Sequence, residues 1–228
     1  MILAGDIGGT KTHLGLFDSV PARPRPIAVR TFSTLDYPDL PSMIAAFLDG
    51  DNTRHVSIST ATFGVAGPVI GESAELTNVP WQVHAPEVAS RFGMARVRLL
   101  NDLQAMAYSI PVLREGEVHV LQEGEALRGG NIALIAAGTG LGEALLHNVD
   151  SRFVPSPSEG GHADFCARTE REISLLRHLT ARYGRADAEH VVSGRGLINI
   201  HRAMHGTACA AGVDLDDPGA PAAISTAA

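Results

Sequence analysis

The sequence predicts an α/β fold, and three observations carry the prediction. Runs with strand patterning alternate with segments whose apolar residues repeat at helical spacing. A glycine turn between two short apolar runs opens the chain at Gly8-Gly9, and the same device recurs at Gly138-Thr139-Gly140-Leu141-Gly142. Between the two turns, Asn101-Asp102 stands where a strand runs directly into a helix, the position at which open α/β sheets hold their ligands.

Residues 2–4 and 14–17 are apolar and flank Gly8-Gly9, which reads as a β-hairpin starting almost at the first residue. The glycines leave backbone N–H groups uncovered, and Thr10, Lys11 and Thr12 set hydroxyls and a cation beside them. Such a turn suits an anion, above all a phosphate. It is not a P-loop, because Lys11 follows Thr10 rather than a glycine and the run does not lead into a helix. Asp6 closes the first strand, and a carboxylate beside phosphate oxygens is suited to hold Mg²⁺ or its waters. A plain hairpin whose glycines serve geometry alone accounts for the turn equally well. Residues 21–26 form a turn-rich loop and 27–32 a third strand. Leu40, Met43, Ile44, Phe47 and Leu48 mark one amphipathic helix within 37–49. Residues 56–66 are small and β-branched and stop at Gly67-Pro68, with a short strand following at 74–77.

The polar loop Thr77-Asn78-Val79-Pro80-Trp81 holds the only tryptophan, which reads as a packing residue. Thr77 and Asn78 suit either the cap of a turn or contact with a polar ligand. Residues 85–92 predict a helix and 96–100 a strand, after which Leu103, Met106, Ala107, Ile110 and Leu113 keep helical spacing. Aspartate is a preferred N-cap, so capping alone would account for Asp102. The same carboxylate is also oriented to accept the proton of a substrate hydroxyl.

Residues 131–137 form the next strand, followed by the second glycine turn and a strand at 144–148. A lone Gly-x-Gly-x-Gly carries little weight, and the helix that a Rossmann fingerprint requires is missing. Two hydroxyl-bearing glycine hairpins together suggest two related lobes gripping one polyphosphate. Glu159 and His162 are joined by two glycines, so a tight loop can aim both at one hydroxyl-rich ligand; a zinc site would need more ligands. Read alone, the segment is an ordinary surface loop. Thr169 and Glu172 form a capping box, opening a helix with Ile173, Leu176, Leu179 and Thr180 on one face. Glu189, by itself a solvated carboxylate, precedes the turn Ser193-Gly194-Arg195-Gly196 and a helix marked by Leu197, Ile200 and Met204.

Composition narrows the function classes. The chain has 228 residues, 45% hydrophobic and 19% charged, which fits a soluble protein of one large or two small domains. A net charge of −7 argues against a nucleic-acid surface. Cys166 and Cys209 are too few for a disulfide framework and not spaced for zinc, in keeping with a reducing cytoplasm. No stretch approaches the ~20 apolar residues of a membrane helix.

Taken in order, Asp6-Ile-Gly-Gly-Thr-Lys11, Thr77-Asn-Val-Pro-Trp81, Leu100-Asn-Asp102, Gly138-Thr-Gly-Leu-Gly142, Glu159-Gly-Gly-His162 and Glu189 ahead of Ser193-Gly194 resemble the bacterial glucokinases of the hexokinase and actin-like ATPase superfamily. The resemblance covers almost all of residues 1 to 207. It implies two ribonuclease-H-like α/β lobes, a small one over 1–110 and a partial large one over 111–228, with a sugar and ATP in a central cleft. Asp102 is then the base that deprotonates the 6-hydroxyl of glucose, and Thr77, Asn78, Asn101, Glu159, His162 and Glu189 bind the sugar. Gly8, Gly9, Thr10, Lys11, Gly138, Thr139 and Gly140 meet the phosphates of ATP, and Asp6 stands near Mg²⁺. The resemblance implies a cytoplasmic enzyme free of nucleic acid and membrane, and it allows a homodimer. Two departures accompany it. Glu143 sets a negative charge next to the second turn, and family members run about half as long again, so an incomplete second lobe with exposed apolar surface and weak or absent turnover is expected. The alternatives are a kinase for another hexose and a truncated, non-catalytic sugar-binding form.

Overall fold

Leu3, Ile7, Thr12, Leu14 and Leu16 are buried while Asp6, Lys11 and His13 are exposed, so the opening apolar runs set one face of a hairpin into a core. The computed structural model describes residues 1–20, 23–50, 53–54, 56–76, 79–125, 127–205 and 214–227. Strands β1 (Ile2–Ile7) and β2 (Lys11–Phe17) form the expected hairpin, and β3 (Pro26–Ser33) pairs antiparallel with β2. Helix α1 (Leu40–Leu48) starts at Asp39, whose side chain accepts a 2.7 Å hydrogen bond from the Ser42 N–H. Strand β4 (Thr60–Val65) is shorter than the 56–66 expected, and a small antiparallel sheet of β5 (Val69–Ile70), β6 (Ser73–Glu75) and β7 (Gln82–His84) follows. Helix α2 (Ala85–Phe92) ends at Gly93, whose φ of 63° gives the left-handed cap that favours glycine. Strand β8 (Arg96–Asn101) then runs into helix α3 (Asp102–Ser109). The helix stops short of the expected Leu113, giving way to a 3-10 turn over Ile110–Val112.

The chain divides into two compact units. The first comprises Met1–Gly130 with Asn148–Pro155 and is built on a five-stranded sheet of order β3-β2-β1-β4-β8. Strands β1, β4 and β8 are parallel, and β2 and β3 extend the sheet antiparallel. This is the ribonuclease-H-like order. Its core holds Leu3, Ile7, Leu14, Leu16, Met43, Ile44, Phe47 and Phe63, all fully buried, each contributing roughly 1.5–3 kcal/mol by removal from water. Trp81 is buried in the same core, as expected of a packing residue.

The second unit comprises Asn131–His147 and Ser156–Ala228. Strand β9 (Ile132–Ala137) pairs antiparallel with β10 (Leu141–Val149), and the outer strand β11 (Arg152–Ser158) completes a sheet of order β11-β10-β9. Asp150 and Ser151, which belong to the Asn148–Pro155 segment of the first unit, join β10 to β11 with positive φ at both residues, the geometry that tight hairpins favour. Helix α4 (Glu170–Tyr183) begins with the expected capping box, and its Leu179 is fully buried while Thr180 faces solvent. Helices α5 (Gly194–His205) and α6 (Ala220–Ala227) follow, and Gly196 at the start of α5 is required because a β-carbon would run into the Val191 backbone carbonyl. Among the described residues no helix is long and apolar enough to cross a membrane.

Candidate functional site

In the first unit the parallel register decides which residues meet. Asp6 pairs with Gly64 and Gly64 with Leu100, while Ile7 pairs with Val65 and Val65 with Asn101. The carboxyl ends of β1, β4 and β8 therefore lie level, and the Gly8-Gly9 turn and Asn101-Asp102 share one edge of the sheet. Asp6 and Leu100 stand two strands apart, ~10 Å at the usual strand spacing of ~4.8 Å. Gly64 lets the first turn of α3 sit down on β4, since a β-carbon there would lie 3.0 Å from Ala105 Cβ and 3.8 Å from Asp102 Cα.

The first glycine turn is held from inside the unit. The Gly8 N–H donates to the Lys11 carbonyl at 3.1 Å, and a β-carbon on Gly8 would lie 2.8 Å from that oxygen. Thr34 Oγ1 donates to the Gly8 carbonyl at 2.8 Å, so Thr12 Oγ1, 2.9 Å away, is the donor to Thr34. Both threonines are fully buried. Exchanging Thr34 for valine strands the Gly8 carbonyl and the Thr12 hydroxyl together, and a loss of about 2 kcal/mol is expected in the denaturant midpoint. Asp6, Thr10 and Lys11 are exposed along the turn, with Gly8 and Gly9 half-buried.

The cap of α3 is Asn101 and not Asp102. Asn101 Oδ1 accepts from the Leu103 N–H at 3.0 Å and the Gln104 N–H at 3.4 Å, and its Nδ2 donates to the Gly67 carbonyl at 3.4 Å. The strand runs one residue further than the sequence suggested, which moves the cap by one. Asp102 becomes the first helical residue, half-buried, with Oδ1 accepting from the Leu103 N–H at 2.8 Å. Capping therefore does not account for Asp102. Thr77 and Asn78 lie outside the described residues.

In the second unit, residues 161–165 pair with 186–189. The Glu189 N–H donates to the Gly161 carbonyl at 2.8 Å, the Ala188 N–H to Ala163 at 2.9 Å and the Phe165 N–H to Ala186 at 3.0 Å. This brings Glu159, His162 and Glu189 into one loop cluster. Glu189 also reaches the second glycine turn, where one carboxylate oxygen accepts from the Leu141 N–H at 2.9 Å. Gly140 makes room for it, since a β-carbon there would lie 2.6 Å from that oxygen. Gly138 and Thr139 are exposed, and the Gly194 N–H donates to the Gly138 carbonyl at 2.8 Å. A cavity of about 540 Å³ opens beside Gly138, walled by Val191, Gly194, Leu197 and Pro221. Glu143, which the sequence set next to the turn, directs its carboxylate at Gly160 instead.

His162 Nε2 lies 3.9 Å from Glu159 Oε2, whose side chain is largely exposed. Its Nδ1 meets Asp187, a buried carboxylate that the sequence reading missed. Burial pushes the Asp187 carboxyl up, but the His190 N–H and the His162 and His190 rings outweigh it and hold it below the usual aspartate range. A depressed carboxyl stabilises the fold fully above its unfolded value of ~3.9, and that stabilisation is lost as pH falls through the folded value. The difference in urea midpoint between the natural chain and Asp187→Asn is therefore expected to stay constant above about pH 5 and to shrink below about pH 4.

Among the described residues no three acidic, histidine or cysteine side chains form a metal cage. Asp6 alone, exposed beside a turn of backbone N–H groups, fits the way Mg²⁺ binds, through one or two carboxylates, waters and substrate phosphates.

The family description Glucokinase matches residues 3–228. A glucokinase of Citrobacter koseri is 37% identical over 204 residues, covering 89% of this chain and 61% of the relative, and one of Salmonella arizonae is 37% identical over 202 residues with the same coverage. The crystal structure of a glucokinase from an Antarctic psychrotroph superposes with a TM-score of 0.80 at 30% identity, over 89% of this chain and 63% of that one. A glucokinase from Balamuthia mandrillaris in complex with glucose shares the fold, with a TM-score of 0.65 at 22% identity over 87% of this chain and 60% of that one. The chain spans about three fifths of the length of the relatives it matches.

Proposed function

Because the chain belongs to the glucokinase family, we propose that it transfers the terminal phosphoryl group of ATP to the 6-hydroxyl of glucose. The observation that carries the reading is the shared edge of the first sheet, where the exposed Asp6 and glycine turn stand level with Asp102. Phosphoryl transfer asks for positioning and charge neutralisation rather than covalent help, and these residues supply both. Asp102 accepts the proton of the 6-hydroxyl as that oxygen attacks the terminal phosphorus. Gly8, Gly9, Thr10 and Lys11 hold phosphate oxygens through N–H groups, a hydroxyl and a cation. Asp6 would hold Mg²⁺, directly or through its waters, and the ion would supply neutralisation of phosphate charge.

The second unit supplies Gly138, Thr139 and Gly140 to the nucleotide, with the apolar wall of Leu197 and Pro221 beside Gly138 suited to its base. In the second unit, Glu159, His162 and Glu189 are proposed to take sugar hydroxyls; in the first, the family pattern proposes Asn101 as a sugar ligand, along with Thr77 and Asn78, which lie outside the described residues. A site that pairs each hydroxyl discriminates strongly against analogues lacking one. A cytoplasmic location and a homodimer belong to the same proposal. The test is a substrate panel: glucose, mannose and N-acetylglucosamine offered with MgATP, and the phosphorylated product identified. Glucose 6-phosphate as the preferred product supports the reading, and preference for another hexose redirects it.

A further inference from the structure

We infer that Asp187 is a positioning residue that fixes His162 with its proton on Nδ1, so that Nε2 faces the ligand as an acceptor and selects a hydroxyl that donates. Asp187 Oδ2 lies 3.3 Å from His162 Nδ1, and an ionised carboxylate can only accept. The proton of a neutral His162 ring therefore resides on Nδ1, and Nε2 carries a lone pair. The ring is half exposed, whereas Asp187 is buried behind it.

The carboxylate is itself held in place. Its Oδ1 accepts from the His190 N–H at 2.9 Å and lies 2.7 Å from His190 Nδ1. So close an approach to an acceptor requires a proton on that nitrogen, and the 3.3 Å contact of the Asp187 N–H with the same nitrogen is then no hydrogen bond. The His190 ring stacks on Tyr183 with centroids 4.4 Å apart, and the buried Asn199 accepts from the Tyr183 hydroxyl at 2.8 Å while donating to the His190 carbonyl at 3.0 Å. Arg185 holds the loop from outside, donating to the His162 carbonyl at 2.9 Å and pairing with Asp164 at 2.7 Å.

The consequence falls on the ligand. His162 Nε2 and Glu159 Oε2, 3.9 Å apart, are both acceptors, so they call for hydroxyls that both donate. A group that only accepts, such as fluorine or a methoxy oxygen, finds no partner there. The ligand assignment rests on the glucose reading above; the protonation of the ring rests on geometry alone.

The experiment is nitrogen NMR on the full chain labelled with ¹⁵N-histidine at pH 8, with His162→Gln used to assign the His162 signals. The natural chain should show a protonated Nδ1 and an unprotonated Nε2. In Asp187→Asn the His190 N–H keeps the amide oxygen on its own side, which turns the NH₂ toward His162 and moves the ring proton to Nε2. The glucose Kd measured by titration should rise about tenfold in that variant, since the ring no longer accepts. A natural ring protonated on Nε2, or one unchanged by Asp187→Asn in a folded chain, overturns the proposal. His162 signals that ignore glucose altogether overturn instead the sugar reading on which its ligand rests.

Discussion

Asp102→Asn is expected to lower any glucose-dependent ADP formation by ~10³-fold and to leave glucose affinity within about threefold, the size of effect that removing a general base produces. Asparagine keeps the shape of the side chain and can still accept from the Leu103 N–H, as the Asp102 carboxylate does. What it loses is the capacity to take a proton from the attacking hydroxyl. Asn101→Ala is the comparison: it removes the cap of α3, at a cost of about 1 kcal/mol of stability, and with it a proposed sugar contact, so its expected signature is a raised glucose Kd rather than a lost kcat. Steady-state kinetics with a glucose titration separates the two. A kcat effect at Asp102 with Kd retained identifies the base, whereas a matching loss of folding in both variants reduces Asp102 to a helix residue.

Gly161→Ala disrupts the loop that carries His162, and Gly160→Ala does not. A β-carbon on Gly161 would run into the Leu141 backbone carbonyl, which cannot swing away. Relief requires moving either β10 or the loop, at a cost of about 1–3 kcal/mol. The same movement strains the 2.8 Å bond from the Glu189 N–H to the Gly161 carbonyl, so glucose binding should weaken more than tenfold. On Gly160 the added carbon meets the carboxylate of Glu143 and, at 3.1 Å, the Ser158 hydroxyl, both ends of side chains that can turn aside where a backbone carbonyl cannot. Thermal midpoints and glucose titrations of the two variants, adjacent in sequence, make the comparison direct. Equal effects from both would show that the loop does not hold the sugar partners.

The elements legible in the sequence are those written in local periodicity. The β1–β2 hairpin, α1, α2 and the capping box of α4 all follow from spacing and end signals within a few residues. Strand β11 was not legible, because Pro155 and Pro157 argue against a strand; they are tolerated since it is the outer strand of its sheet. Its hairpin turn, Asp150-Ser151, lacks the glycine that usually marks such a turn.

In the site, the glycine turns and Asn101-Asp102 announce themselves by composition and by position at strand ends. The supports behind them do not. Thr34 reaches the first turn from 26 residues beyond Gly8, and Asp187 meets His162 across 25 residues, so both depend on tertiary pairing. The only sequence hint at Asp187 is an acidic residue three before His190, and a one-residue extension of β8 is enough to exchange the roles of Asn101 and Asp102.

The most direct test of the account is ADP release from MgATP by the purified 228-residue chain, measured with and without glucose. Glucose is expected to raise ADP release above the sugar-free rate. A folded chain that binds glucose yet releases ADP at the same rate with and without it contradicts the assignment of this chain as a glucose-phosphorylating enzyme.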